Sequence, residues 1–328
     1  MQTYDRVFSP ANPIEEIVEI INNKPGKYFL NKGNYILNSS SGALSPGSGT
    51  IIHGAGKGQT IITEDGSLAD DLIKIVNTPV GTYNIGALAA WAIAGTTDTA
   101  AEAANINDGD ILYFEDSAAA EKMVALANGA GNPATGAFNF FYEAATGFDA
   151  ASTMKVYNTY SSDITIENLT LLGDGANTTN GIEITGGKNI CVRNVEARNL
   201  TGYGLLLSAC LDSSFDIKCY DSSLATYVVG GLTDCVLDIK SLNCASANNC
   251  VVILYVYYSM VSVKTFGATP GDSVINFKRS HSNITRFISS TPTAVRSLIL
   301  ESSDENIVEA SLKSTLTNSG TGNSLLAT

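Results

Sequence analysis

The sequence predicts an all-β solenoid, in which short strands coil into turns that stack along one axis. The main observation is a six-residue phrase that reads apolar, polar, apolar, polar, small or polar, apolar. It occurs at 164–169, 190–195, 215–220, 237–242 and 261–266, with spacings of 26, 25, 22 and 24 residues. A second apolar strand recurs between the phrases, at 181–184, 204–207, 227–229, 251–254, 274–277 and 298–300. A period of this length with short alternating strands is typical of stacked repeats.

The composition agrees with one elongated domain and excludes some partners. Hydrophobic residues make up 44% of the 328 residues, and charged residues only 16%. The net charge of −13 disfavours phosphate backbones, so we expect no nucleic-acid partner. No apolar run reaches the roughly 18 residues of a membrane helix, so we expect no membrane insertion. The first residues show no secretion signal, which favours synthesis in a cytoplasm.

The first region, 1–80, begins with an amphipathic helix. Apolar residues at 14, 17, 18, 20 and 21 have helical spacing. Asn12 is a suitable N-cap, and Pro13 a suitable first helical residue. A helix at this position would cover the open end of the first turn, which otherwise invites edge-to-edge pairing.

Two glycine-broken strands follow, at 28–37 and 49–63. The stretch Gly54-Ala-Gly-Lys-Gly58 lacks the spacing and the Lys-Ser/Thr ending of a phosphate loop, and a strand follows it. Tight solenoid corners explain these glycines better, and we expect His53 to have a corner role.

The helix, the Lys-Gly-Asn-Tyr turn at 32–35 and the Ile-His-Gly-Ala-Gly-Lys-Gly-Gln-Thr-Ile-Ile segment at 52–62 resemble the N-terminal part of the pectate-lyase-like right-handed parallel β-helix superfamily. That superfamily includes phage tailspikes, polysaccharide lyases, polygalacturonases and mannuronan epimerases. The resemblance covers about 12–64 and, through the repeats, 160–312. It implies a right-handed parallel β-helix and says little about activity, because one scaffold hosts many functions.

The second region, 81–160, interrupts the period with an alanine-rich segment. Residues 108–115 are predicted to form a hairpin strand, and 117–128 a short helix. We therefore expect a flanking α/β insertion packed on the side of the solenoid. Such insertions often carry the binding surface, but a brace that merely covers apolar surface is equally consistent with the sequence.

The third region, 161–313, holds the regular turns, and all six cysteines fall within it. They lack the paired spacing of zinc or redox motifs, so we expect reduced, buried residues rather than disulfides. The tail, 314–328, has no alternation. It is predicted to be either a loose cap or a strand lent to a neighbouring chain.

The outward positions of the phrase place Glu167 before a column of four cations, Arg193, Lys218, Lys240 and Lys264. Such a column on an acidic protein could hold an anionic glycan. Asp216 and Asp238 lie two residues earlier on the same strands, so a solvated, partly neutralised ladder is the competing interpretation. His281, beside Lys278 and Arg279, is predicted to lie in an exposed loop or to serve a lyase base or an anion site.

The sequence singles out no catalytic residue. Seven carboxylates of the third region could form glycosidase pairs, and their abundance makes no pair informative: Glu183, Glu196, Asp212, Asp216, Asp221, Asp234 and Asp238. The segment 197–208 resembles the catalytic segment of mannuronan epimerases. Leu206 and Ser208 stand where that family has its aspartate and histidine, and neither side chain can serve as the base.

The resemblance and these departures predict a non-enzymatic phage virion protein: a spike, fibre or capsid decoration that presents a receptor- or glycan-contacting surface. We expect a homotrimer that contacts other virion proteins and host surface polysaccharide, and that assembles in the host cytoplasm. We expect no cofactor and no metal. The alternative is a tailspike depolymerase, either a polysaccharide lyase or a glycoside hydrolase, with acidic residues in a groove.

Overall fold

The computed structural model describes residues 3–118, 121–144, 147–175, 180–222, 224–244, 249–267, 273–289, 296–301, 306–312, 316–319 and 321–327. Within these residues the chain forms one α-helix, α1 (Ile14–Asn23), and one 3-10 helix (Ala100–Asn105). The strands, in chain order, are β1 Arg6–Phe8, β2 Lys27–Leu30, β3 Gly33–Leu37, β4 Ile51–Gly54, β5 Thr60–Glu64, β6 Ile73–Val76, β7 Gly81–Asn84, β8 Ala94–Thr96, β9 Ile111–Glu115, β10 Lys122–Ala127, β11 Ala137–Phe141, β12 Thr153–Tyr157, β13 Ser161–Leu172, β14 Ile182–Arg198, β15 Tyr203–Leu211, β16 Ser214–Tyr220, β17 Leu224–Thr233, β18 Val236–Leu242, β19 Asn249–Leu254, β20 Val256–Tyr257, β21 Met260–Phe266, β22 Ser273–Lys278, β23 Ile284–Ser289, β24 Arg296–Glu301, β25 Ile307–Leu312, β26 Leu316–Asn318 and β27 Ser324–Ala327.

The repeated phrase forms one continuous parallel sheet, the first sheet. Each strand pairs with the equivalent strand of the next turn, in the order β1, β2, β4, β13, β14, β16, β18, β21, β23, β25, β27. Parallel pairing between strands one turn apart is what a solenoid requires. The stack has about 11 turns and confirms the predicted all-β, right-handed parallel β-helix.

The other strands complete the turns on two further sides. On one side, β3 and β5 lead into the C-terminal halves of β13 and β14. On the other side, β6 pairs with the N-terminal half of β14, which is followed by β15, β17, β19, β22, β24 and β26. This second set contains the recurring strand that the sequence placed between the phrases.

The interior is filled by apolar side chains that stack from turn to turn. Val192, Phe215, Leu237 and Val261 stand one above the next in the strand register, and all are buried. Burying such a side chain contributes roughly 1.5–3 kcal/mol. Near the C-terminal end the core becomes aromatic, and the rings of Phe277 and Phe287 meet edge to face at 5.5 Å.

The helix α1 covers the N-terminal end of this core, as predicted. Its buried residues Ile17, Val18 and Ile21 belong to the same apolar cluster as the first turns. The predicted cap is off by one residue, because Pro13 is the N-cap and Ile14 begins the helix. The Asn12 side chain instead accepts a hydrogen bond from the amide of Ser9 at 2.8 Å, so it closes the preceding turn.

The insertion between β6 and β13 is an antiparallel sheet with the strand order β7-β12-β9-β10-β11-β8. The predicted strand at 108–115 is β9, which forms a hairpin with β10. The helix predicted over 117–128 is wrong, because 122–127 is strand β10. It pairs with both β9 and β11, and these long-range pairings outweigh the helical preference of its alanines. The insertion's helical content in the described residues is the single 3-10 turn.

The insertion has its own aromatic core and lies on the flank of the stack. The ring of Phe114 lies 5.1 Å from that of Phe140 and 6.2 Å from that of Phe138. The Thr233 hydroxyl of β17 donates to the carbonyl of Val124 at 2.6 Å. The insertion therefore packs against the turns that follow it in sequence.

Left-handed residues mark the corners of the turns. They recur at the turn period in columns: Asp163, Asn189, Asp212, Asp234, Tyr258 and Ser282; Asn199, Asp221, Asn243 and Gly267; and Gly186, Ala209, Gly231, Tyr255 and Arg279. Asn, Asp and Gly adopt this conformation at little cost. Their recurrence is a second periodic signal, which the sequence contains and the apolar pattern does not reveal.

The remaining predictions concern the cysteines and the tail. All six cysteines are free, and five of them are buried in the stack, as predicted. The tail contains β26 and β27, which pair with β24 and β25 and so continue the sheets of this chain. It is thus neither a loose cap nor a strand lent away. No helix in the described ranges has the length and apolarity needed to span a bilayer.

Candidate functional site

The structure changes the predicted column of four cations to one of three. Lys218, Lys240 and Lys264 are in register on β16, β18 and β21 and form the lysine ladder. Arg193 does not continue it. The residue of β14 beside Lys218 is Glu196, and Arg193 is paired instead with Glu167.

Strand β14 contains a bulge at this point, which the repeated phrase does not reveal. Asn168 and Asn194 are left-handed bend residues, with φ of 60° and 53°. At each bend, the inward-facing residue before it and the inward-facing residue after it are three positions apart, whereas regular alternation would put them two apart. β16 has no such bend and alternates strictly, so Arg193 and Asn194 together lie opposite Asp216. The sequence alignment of Ile190 with Phe215 was therefore two residues out, because Val192 is the partner of Phe215.

The lysine ladder is neutralised at its middle only. The Lys240 ammonium lies 2.9 Å from the Asp238 carboxylate and 3.5 Å from that of Asp216. Burial lowers the pKa of Lys240, but the two aspartates outweigh it and the pKa is raised overall. Lys218 and Lys264 form no ion pair with any residue that the structure describes.

A fourth lysine, which the sequence did not single out, reaches the ladder from the side. Lys57 lies in the loop between β4 and β5, and this loop is fixed to the stack by the Gly58 amide, which donates to the Thr170 hydroxyl at 2.9 Å. Burial, and then the nearby charge of Lys218, lower the pKa of Lys57. No sequence signal indicated this, since it depends on how the loop folds over a turn more than 100 residues away.

Aromatic and apolar side chains border the ladder. Tyr220, Leu242 and Phe266 occupy the next outward position of the same three strands. Phe266 is exposed, whereas Tyr220 lies under the Arg198 guanidinium, 4.9 Å from its ring centroid. A cationic row thus runs beside a row with one open aromatic ring.

Arg193 belongs to a separate cluster at the N-terminal end of the first sheet. Its guanidinium donates to the buried carboxylate of Glu167, whose other oxygen lies 2.6 Å from Nδ1 of His53. Burial raises the pKa of Glu167, but the hydrogen bonds and charges of Arg193 and His53 outweigh it, and the pKa is lowered overall. His53 points outward from a strand, so its predicted corner role is wrong. Arg193 remains 61% exposed beyond its ion pair.

His281 is not in an exposed loop. It is 4% exposed, and its ring stacks on that of Tyr257 with centroids 5.6 Å apart. Its backbone continues the stack, since its amide donates to the carbonyl of Val256 at 2.9 Å. The prediction of an accessible base or anion site at His281 is therefore not supported by its position.

The sequence allowed many pairs of carboxylates, and the structure brings carboxylates together in two arrangements. Asp71, two residues before β6, lies close to Glu183 of β14, beside Lys74 and Asp70. Burial first, and then the proximity and charge of Asp71, raise the pKa of Glu183 to about 7. Asp71 is held by the amide of Asn180 at 2.9 Å. Sequence reasoning considered Glu183 and missed Asp71, which lies 112 residues away from it.

The second arrangement lies beside the insertion. The Tyr142 hydroxyl donates to Asp212 at 3.0 Å and to Asp234 at 3.1 Å, on successive turns. An adjoining groove of about 390 Å³ is lined by Tyr160, Ser162, Asp163, Lys188, Asn189 and Asp212. No group of three or more metal-binding side chains occurs in the described part of the chain.

An apolar row lies on the same sheet as the lysine ladder. Val236, Met260, Ile284 and Ile307 are in register at the start of β18, β21, β23 and β25, and form the apolar ladder. Each is 47–56% exposed. They line a shallow groove of about 480 Å³, together with Asp238, Arg286 and Glu309. A row of exposed apolar side chains of this length marks an interaction surface.

No protein-family model matches the chain, and no curated protein matches it. Solved structures do. The tailspike protein gp49 from Pseudomonas phage LKA1 has a TM-score of 0.56 at 13% identity, over 90% of this chain and 56% of gp49. The tailspike gp61 of Pseudomonas phage phi297 has a TM-score of 0.49 at 12% identity, over 92% of this chain and 63% of its own.

A third match is the gp54 tailspike of Acinetobacter baumannii bacteriophage AP22, solved with a capsular saccharide. Its TM-score is 0.42 at 10% identity, over 97% of this chain and 67% of its own. The match to gp49 described above covers 56% of that protein, so this chain spans little more than half the length of gp49. At such identities the likeness concerns the fold. Over nine-tenths of its length, the chain has the parallel β-helix fold of the gp49 phage tailspike.

Proposed function

We propose that the chain is a non-enzymatic structural protein of a phage virion, either a spike, a fibre or a capsid decoration, that contacts a glycan. The observation that carries the glycan contact is the lysine ladder, in which Lys218 and Lys264 stand without a counter-ion on a protein of net charge −13. The fold shared with gp49 supports the virion role, and the gp54 structure, which contains a capsular saccharide, illustrates the kind of ligand.

A non-enzymatic role is favoured because the candidate positions for a catalytic base in the third region do not offer an accessible base. Leu206 and Ser208, which stand at the epimerase-like catalytic positions, offer an alkyl group and an unactivated hydroxyl. His281, the other candidate base, is buried in the stack. None of these three residues is placed to move a proton of a sugar.

A depolymerase is the second candidate, and one observation favours it. A carboxyl that keeps its proton to about pH 7, as Glu183 does beside Asp71, has the pKa that a general acid needs. Glu183 is paired in register with Leu206, so it stands one turn from the epimerase-like position.

A polysaccharide assay separates the two candidates. The protein is immobilised and exposed to a panel of bacterial capsular polysaccharides, and each mixture is then assayed for new reducing ends and for unsaturated uronates. We expect binding to at least one polysaccharide without either product. Product formation that is lost in Glu183→Gln would establish the depolymerase, and the absence of binding across the panel would contradict the glycan contact.

We also propose that the chain forms a homotrimer through the apolar ladder, and that it joins other virion proteins after synthesis in the host cytoplasm. Three copies side by side would cover the exposed row of Val236, Met260, Ile284 and Ile307. Light scattering of the purified chain should give three times the monomer mass.

Met260→Asp should give monomers, because it places a charge within the apolar ladder. Ile36→Asp is the matched control, since Ile36 is equally exposed but lies on another side of the stack. A monomeric wild-type protein at micromolar concentration would contradict the trimer, and a trimer that Met260→Asp leaves intact would contradict the apolar ladder as its interface.

A further inference from the structure

Three lysines stand close together without counter-ions on this acidic protein. Lys218 and Lys264 lie two turns apart in the ladder, a separation of about 10 Å at the usual strand spacing. Lys57 approaches them from the β4–β5 loop, because the amide of the next residue, Gly58, donates to Thr170, and Thr170, Glu196 and Lys218 are neighbours in the strand register. None of the three forms an ion pair with a described residue.

The acids of the neighbourhood are already engaged elsewhere. Glu196 accepts two hydrogen bonds from Arg198, at 2.5 and 3.1 Å. Asp216 lies 3.5 Å from Lys240 and also accepts from the amide of Asn194. Lys57, Lys218 and Lys264 carry three positive charges, Lys240 with Asp216 and Asp238 carries a net charge of −1, and Arg198 with Glu196 carries none. The neighbourhood therefore keeps an excess of two positive charges. Like charges held together in this way destabilise a fold, so an anion that neutralises them would bind favourably.

The surroundings indicate the kind of anion. The exposed ring of Phe266 lies two residues from Lys264 on the same outward face, where it can cover the apolar face of a sugar ring. The neighbouring outward column of the same sheet holds three acids, Asp216, Asp238 and Glu309, and one cation, Arg286. Because the acids outnumber the cation, this column disfavours a densely charged polymer such as a nucleic acid. Widely spaced charges on a polymer of rings fit the surface better.

We propose that Lys57, Lys218 and Lys264, with Phe266, bind a polysaccharide that carries carboxylate or sulfate groups. This inference rests on the proposed glycan contact and assigns its site and the chemical class of its ligand. Lys240 contributes little, since Asp216 and Asp238 neutralise it. Arg193 lies outside the site, since it stands opposite Asp216 and not beside Lys218.

Binding to four defined probes tests the inference: polygalacturonate for carboxylates, dextran sulfate for sulfates, dextran for neutral sugars and a double-stranded DNA oligonucleotide. The triple variant Lys57→Gln, Lys218→Gln, Lys264→Gln is compared with Lys24→Gln, Lys27→Gln, Lys32→Gln. The control removes three exposed lysines at the N-terminal end. We expect the site variant to bind polygalacturonate or dextran sulfate at least about tenfold more weakly, and the control to bind as the wild type does.

Each other outcome overturns the inference. Equal binding by the site variant and the control would place the anion elsewhere, and failure of both polyanions to bind would remove the ligand class. Binding of dextran alone would contradict a negatively charged ligand but would still support the proposed glycan contact. DNA binding that depends on the same lysines would replace the polysaccharide with a nucleic acid. The capsular panel described above tests the glycan contact itself, so the two failures are distinguishable.

A stability measurement distinguishes a binding role from a structural one. If Lys57 serves to bind the ligand, the single variant Lys57→Gln should unfold at the same temperature as the wild type or at a higher one. The reason is that the substitution removes a partly buried cation that forms no ion pair with a described residue. The same variant should lose the increase in unfolding temperature that the bound polyanion gives the wild type. A lower unfolding temperature without ligand would mean that Lys57 stabilises the fold.

Discussion

At the scale of the residue, single side chains decide where charges meet. Asn194 is one residue more than β16 has opposite it, and this extra residue keeps Val195 inward and places Glu196 beside Lys218. Asn can take that place because its left-handed conformation costs little and its amide donates to Asn168 of the preceding turn at 2.5 Å. The chemistry of the surface therefore depends on a bend residue that carries no charge.

Glu183 gives the residue scale a pH-dependent prediction. Its pKa is raised from 4.5 to about 7 in the fold, first by burial and then by Asp71. The contribution of protonated Glu183 to stability is therefore complete below pH 4.5 and is lost as the pH rises through 7. Glu183→Gln keeps the uncharged form, so at pH 8 it should be about 1 kcal/mol more stable than the wild type, allowing for solvent screening.

Urea unfolding at pH 4.5, 6, 7 and 8 measures this difference. The two proteins should agree at pH 4.5 and separate as the pH rises. Glu19→Gln, on the exposed side of α1, removes the same formal charge and serves as the control. A constant difference between Glu183→Gln and the wild type at all four pH values would show that the pKa of Glu183 is not raised in the fold.

The sequence could predict only part of the candidate site. Lys218, Lys240 and Lys264 were visible because they repeat with the strand that carries them. Lys57 was not, because it comes from a loop outside the repeat, and Asp71 was not, because its partner lies on a later turn. The bulge was hidden because the alignment of phrases assumed that each turn bends at the same residues.

At the scale of the element, the insertion packs against the stack through shared apolar clusters, and a few directional contacts add to this attachment. The phenol of Tyr142 joins Asp212 and Asp234, and its ring stacks on that of Tyr258 at 6.2 Å. Tyr142 has a φ of 71°, an uncommon conformation for an aromatic residue that turns its side chain towards the stack. The strands of the insertion are thus held at one flank without a sheet shared with the stack.

Tyr142→Phe should loosen this attachment. The change removes one donor shared by two carboxylates, which then face each other without it, so we expect a loss of about 1 kcal/mol. Hydrogen exchange should accelerate for amides of β10 and β11. Tyr258→Phe is the matched control, because its hydroxyl donates to a neutral carbonyl, that of Glu143, at 3.1 Å. An equal effect of the two variants would mean that the aspartates are not what holds Tyr142.

At the scale of the whole molecule, each turn contacts its neighbours and little else, apart from the insertion. Stability should then be distributed along the rod, as in other repeat proteins. The fold was predictable because the inward positions of the phrase must be apolar in every turn. The antiparallel insertion was not, since its strands pair across irregular loops and its alanines favour helix in isolation.

Phe287→Ala tests this distribution. The side chain fills the core of the last turns beside Phe277, so its truncation should cost about 3–5 kcal/mol locally. Hydrogen-exchange protection should fall in β21 to β25 and persist in β13 and β14. Phe215→Ala, in the middle of the stack, is the comparison. Uniform loss of protection from Phe287→Ala would show that the rod unfolds as one cooperative unit.

The straightening of the first sheet after Asn194 has one more consequence. Beyond that residue the apolar ladder and the lysine ladder share a plane, four residues or about 13 Å apart along each strand. A second copy packed on Met260 and Ile284 would lie alongside Lys264 and form a groove with it. A polymer bound in that groove would be less accessible to dissolved ions on the side of the second copy. Added salt should therefore weaken the binding of the polymer to the trimer less than it weakens binding to the monomeric Met260→Asp variant.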